Sequence, residues 1–103
     1  MIERIWYARA TPENADEYAH LLEHEIVPEF EANVDGLTGF RLGRRETTDE
    51  MVELVTTMTF EDWDAVETFA GEDYEAAHVP EIARDVLADW EPTVRHYEYE
   101  EFL

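Results

Sequence analysis

An α+β fold with the element order strand, helix, strand, strand, helix, strand is predicted by three observations. Residues 2–10, 37–46, 51–60 and 93–100 are rich in β-branched, aromatic or Met side chains interspersed with polar ones, as strands are. Between the first two of these, Ala15, Ala19, Leu22 and Ile26 fall in one narrow stripe at roughly 100° per residue, which marks an amphipathic helix. Between the last two, Trp63, Val66 and Phe69 recur at helical spacing. This order is that of the ferredoxin-like sandwich with an antiparallel sheet. The 103 residues read as one domain, 1–103, near the size where burial leaves only a modest surplus over chain entropy. Association with a second copy would relieve that shortage.

The elements follow in order. The first strand spans 2–10. Thr11-Pro12-Glu13 supplies a hydroxyl cap, a proline at the first helical position and an acid in the first turn, so a helix is expected from about 12 to 27. Pro28 should break or kink it, and Asp35-Gly36 ends the segment. Strands 37–46 and 51–60 form a hairpin around the polar turn 47–50, and Gly39 and Gly43 suggest a bulge or a close backbone approach. In the second of these strands Val52, Leu54, Met58 and Phe60 alternate with Met51, Val55 and threonines, so neither face is strongly polar. Such a strand is covered on both sides, by its own helices and by a second sheet, which predicts a homodimer through sheet faces. A helix is expected from Glu61 to about Ala70, stopped by Gly71, and another from Pro80 carrying Ile82, Ala83, Val86, Leu87 and Trp90. The last strand is 93–100.

Composition bounds the habitat and the partners. There are 27 acidic and 7 basic side chains, all seven of the latter arginine, for a formal charge of −20. Self-repulsion on that scale is screened in molar salt, so the chain reads as salt-adapted and cytoplasmic. Disorder is disfavoured by 45% hydrophobic and 13% aromatic content. A carboxylate array for a basic partner is also disfavoured, because the acids are spread along the chain. Nucleic acid and anionic membranes need clustered cations that are missing here. No cysteine and no serine occurs, which removes thiolate and serine nucleophiles, and the amino terminus lacks the apolar run of a signal peptide or membrane span.

Chemistry-bearing residues concentrate in Phe60 to Pro80, FEDWDAVETFAGEDYEAAHVP. His78 stands where a helical turn is redirected. Its ordinary pKa of about 6.5 suits a general base, and the purely structural alternative is a ring that hydrogen-bonds a helix end. Tyr74 places a hydroxyl within reach of His78, while Trp63 and Phe69 read either as an aromatic wall or as core. Trp6 and Tyr7 point to opposite faces of the first strand, so one should line a cavity and the other the interface between copies. His20 and His24 have metal-ligand spacing but fall with Glu13 and Glu17 opposite the apolar stripe, on the solvated face, and no metal is assigned. Arg41, Arg44 and Arg45 are expected to pair with carboxylates across the hairpin or the subunit boundary.

In element order, in the Pro28-Glu29-Phe30 to Asp35-Gly36-Leu37 passage and above all in Trp63 through His78, the chain resembles the antibiotic biosynthesis monooxygenase family of dimeric α+β barrels. The resemblance implies paired subunits, each with a cavity between sheet and helices, and oxygenase chemistry without metal or flavin on a small aromatic or quinol-type substrate. Within that frame the residues themselves make His78 and Tyr74 the catalytic candidates and Trp63, Phe69, Trp6 and Tyr7 the substrate-binding candidates, with no cofactor. Related barrels also include noncatalytic ligand-binding or stress-related proteins and heme-degrading enzymes. For the last, only the histidine carries over: Asn14 and Asn33, the sole asparagines, lie outside the first strand.

Overall fold

The computed structural model describes residues 1–103. β1 (Ile2–Ala10) is followed by α1 (Pro12–Leu21), a π-helical turn (Leu22–Ile26) and α2 (Val27–Asn33). β2 (Leu37–Glu46) and β3 (Val52–Phe60) form the hairpin, α3 (Trp63–Ala70) and the single turn α4 (Glu81–Arg84) follow, and β4 (Asp89–Trp90) and β5 (Arg95–Glu98) close the chain. The sheet is antiparallel with order β2-β3-β1, and both β4 and β5 pair along the remaining edge of β1. This is the predicted ferredoxin-like α+β arrangement. No helix is long and apolar enough to cross a membrane.

Local chemistry explains each boundary. Thr11 caps α1 by accepting from the Asn14 amide, and Asp62 caps α3 by accepting from Ala65 at 2.9 Å. Pro28 does not end the first helix. The turn before it widens to π geometry, and the chain remains helical to Asn33. A proline ring crowds the carbonyl four residues back and offers it no N–H, and a π turn accommodates both defects. The hairpin register shifts between Leu37 and Gly39, and a Cβ on Gly43 would stand 2.8 Å from Val55 Cγ1, so the two strand glycines mark a bulge and a close approach.

The helix expected from Pro80 to Trp90 is a correction. It lasts one turn, after which the Ala88 and Glu91 amides donate to the Arg9 and Tyr7 carbonyls and Trp90 pairs with Ala8. A continued helix would have left that edge of β1 without partners, a larger loss than one helical turn.

Alternation along the strands sorts the two sheet faces. Ile2, Arg4, Ala8 and Ala10 of β1 and Val52, Leu54, Met58 and Phe60 of β3 are buried toward the helices. One core cluster lies under α1, the π turn and α4, around Ala15, Tyr18, Leu22 and Leu54, and a second lies under α3, around Met58, Phe60 and Val66. Phe30 and Phe40 touch both. The opposite face carries Tyr7 and Tyr97, 42% and 48% exposed.

Candidate active site

A cavity of about 40 Å³ opens at the seam between the two clusters. Its floor is the inner face of β1 and β3, with Arg4, Trp6, Thr56 and Met58, and its walls include Tyr18, Phe30, Phe69 and His78. Phe30 and Phe69 meet edge to face, ring centroids 5.0 Å apart. Outside them a groove of about 370 Å³ runs over Phe30, Phe69, His78 and Pro80 to Ala77, Val79 and Arg84. These four shared residues form the boundary between cavity and groove.

Of the residues picked out from sequence, Trp6, Phe69 and His78 converge on the cavity. Trp6 rather than Tyr7 faces inward, its indole N–H anchored on the Glu91 carbonyl at 2.7 Å. Tyr7 lies on the open sheet face. Tyr74 is not a lining residue. Its ring meets Trp63 and His96 instead, at centroid distances of 5.7 and 5.4 Å, the latter edge to face. Trp63 also stands outside the cavity, 36% exposed, its N–H donated to Glu98.

The imidazole of His78 lies 6.1 Å from the Phe69 ring, and its Nε2 is 3.0 Å from the carbonyl oxygen of Ala70, the last residue of α3. A carbonyl only accepts, so Nε2 carries the proton, and in the neutral ring Nδ1 is the basic nitrogen. The helix-end bond therefore fixes the tautomer and leaves one nitrogen free for proton transfer.

Arg4 dominates the electrostatics. It is 4% exposed, and its Nη1 donates to the Tyr74 carbonyl at 2.6 Å and to His96 Nε2 at 3.1 Å, while Nη2 donates to the Ala76 carbonyl at 3.1 Å. Its guanidinium also lies 5.3 Å from the Phe69 centroid. Burial lowers its pKa to about 10, which leaves it charged at neutral pH. Burial, and next the Arg4 charge, hold His96 down at about 4, so that ring is a neutral acceptor. Tyr18 is likewise 4% exposed, and burial pushes its phenol well above the ordinary value.

Sequence reading singled out neither Arg4 nor Tyr18 as a site residue. The period-two alternation of β1 carried the signal: Arg4 shares parity with Ile2, Trp6 and Ala8 and so lies on the buried face. The other named candidates stay on the surface. His20 and His24 stack 4.4 Å apart on the exposed face of the first helix, and Arg41, Arg44 and Arg45 pair with Glu3, Asp16 and Glu53.

No protein-family profile and no curated protein matches the sequence. Among solved structures, a "putative antibiotic biosynthesis monooxygenase" from Caulobacter crescentus superposes with a TM-score of 0.59 at 18% identity, covering 97% of this chain and 90% of that one. The chain thus shares the α+β fold of that protein.

Proposed function

We propose that this chain is an oxygenase-like protein of the antibiotic biosynthesis monooxygenase type, acting on a small aromatic or quinol-type molecule without metal or flavin. The carrying observation is a cavity between sheet and helices in which a tautomer-fixed histidine meets apolar and aromatic walls. The reading draws further support from the fold shared with the Caulobacter protein. In this mechanism Nδ1 of His78 removes a proton from the bound phenol or its activated C–H. The resulting electron-rich anion supplies the electrons for dioxygen. One oxygen atom enters the ring carbon to give the quinone, and the other leaves as water with the two hydrogens the substrate loses. The protein contributes deprotonation and a site poor in water. Two copies associate through the exposed sheet faces, as the two-sided strand β3 suggests, in a salt-rich cytoplasm.

A second reading is favoured by the size of the cavity. A cavity of about 40 Å³ is well below the roughly 150 Å³ that accommodates benzene in an apolar core, which suits a noncatalytic ligand-binding protein whose interior is largely filled. Oxygen uptake in molar potassium chloride with a panel of hydroquinones and polycyclic phenols, comparing wild type with His78→Ala, separates the two. Turnover lost in the variant, on the order of 100-fold or more for a general base, supports the oxygenase. Undiminished turnover removes His78 from the chemistry, and no uptake with any compound supports the binding protein.

A further inference from the structure

The interior of this acidic protein contains a cation without a counterion. Arg4 has no carboxylate partner, and burial alone accounts for its lowered pKa, although 27 of the 103 residues are acidic. A buried charge is ordinarily paired, because removing it from water is costly. The three acceptors it does have, two peptide carbonyls and His96, are all neutral. A clamp for the Tyr74–Ala76 loop would need donors but no charge. Those contacts leave Nε–H and one proton of Nη2 without a partner in the chain.

The surroundings point the same way. Neither the cavity nor the groove has a single Asp or Glu among its lining residues, whereas three other surface depressions contain Glu3 and Glu101, Glu53 and Asp89, or Glu46 and Glu50. The groove rim carries a second arginine, Arg84. Tyr18 also lines the cavity, and burial alone accounts for its raised pKa, with neither a charged partner nor a hydrogen bond contributing. Size sets the depth of entry: about 40 Å³ admits an oxygen-bearing head, while about 370 Å³ outside accommodates a ring.

We propose that the pocket takes its organic ligand as a phenolate-type oxyanion, with the oxygen seated on Arg4 and Tyr18 and the ring held in the groove beside Phe30, Phe69 and Pro80. The choice of a ring compound rests on the oxygenase reading, whereas the choice of charge rests on Arg4. An anion bound there supplies the missing counterion and uses the unspent donors, and the acid-free lining removes the repulsion that the rest of the surface would impose.

4-Nitrophenol is the probe, because its ionised form is read directly by absorbance. Titrated into the full chain in molar potassium chloride, it should bind with its ionisation midpoint lowered by about one pH unit or more, a preference of at least about tenfold for phenolate over phenol. Neutral nitrobenzene, followed by quenching of tryptophan fluorescence, should bind at least tenfold more weakly. In Arg4→Met the preference should vanish while nitrobenzene still binds. If that variant does not fold, the two wild-type ligands alone decide. Equal affinity for both, an unshifted or raised midpoint, or no saturable binding of nitrophenolate overturns the proposal, as does tighter binding of benzoate than of nitrophenolate. Nitrophenolate binding together with no oxygen uptake from any of the hydroquinones or polycyclic phenols would remove the oxygenase reading and leave this one standing. Conversely, oxygen uptake by Arg4→Met with unchanged KM would remove this proposal and leave the oxygenase.

Discussion

At the scale of single residues, the Arg4–His96 contact ties folding to proton uptake. His96 titrates near 4 in the folded chain against an ordinary 6.5, because burial and then the Arg4 charge oppose its protonation. Between those values the unfolded chain binds the proton and the folded chain does not. The interaction therefore contributes fully above about 6.5 and is lost as pH falls toward 4. His96→Gln keeps an acceptor for Arg4 but does not titrate. Paired thermal melts in molar potassium chloride at pH 7 and pH 4.5 should show wild type losing more stability than His96→Gln. The difference is modest, since the ring is only partly buried. Equal losses would show that His96 does not carry the linkage. Protonation of the many carboxylates affects both proteins alike, so the comparison isolates the ring.

Among the elements, the strands were the most legible because their evidence is local and repeated: β1 and β2 have the bounds expected of them, 2–10 and 37–46. The long helix was legible in its apolar stripe, with Ala15, Leu22 and Ile26 all buried, but not in its passage through Pro28, since a π turn has no sequence period of its own. The segment after Pro80 misled because Ala83, Leu87 and Trp90 repeat as a helix would, while the unpaired edge of β1 that claims Asp89 and Trp90 exists only after the sheet assembles. Distant partners hid the site in the same way. His78 and Phe69 were found from their shared segment, whereas Arg4 is 70 residues from the Tyr74 carbonyl it holds. A turn shows the same dependence on tertiary context. Gly36 has φ of 85°, and a Cβ there would lie 2.7 Å from Ala65 Cβ on α3, whereas Gly71, with φ of 79°, has nothing within 4 Å. Gly71→Ala should lose roughly 1–3 kcal/mol for the backbone conformation alone. Gly36→Ala should lose that and more, because α3 must also shift. Denaturant titrations giving the two variants equal losses would show that the turn does not seat the helix.

For the molecule as a whole, charge is the governing quantity. Only five of the 27 acidic side chains form salt bridges with arginine, and all of those pairs are at the surface, where pairing contributes little. The remainder repel one another across a domain whose principal extents are 38, 30 and 25 Å. In about 0.01 M salt the Debye length of roughly 30 Å spans the molecule, so nearly every like-charge pair contributes, while in about 1 M salt roughly 3 Å confines repulsion to immediate neighbours. Because this length shortens most steeply at low concentration, Tm should rise with potassium chloride and gain most of that rise below a few tenths molar. A rise confined to multimolar salt would instead indicate strengthened apolar burial. Melting independent of salt from about 0.01 to 2 M would show that the acidic shell does not destabilise the fold, and would remove the argument for a salt-rich habitat.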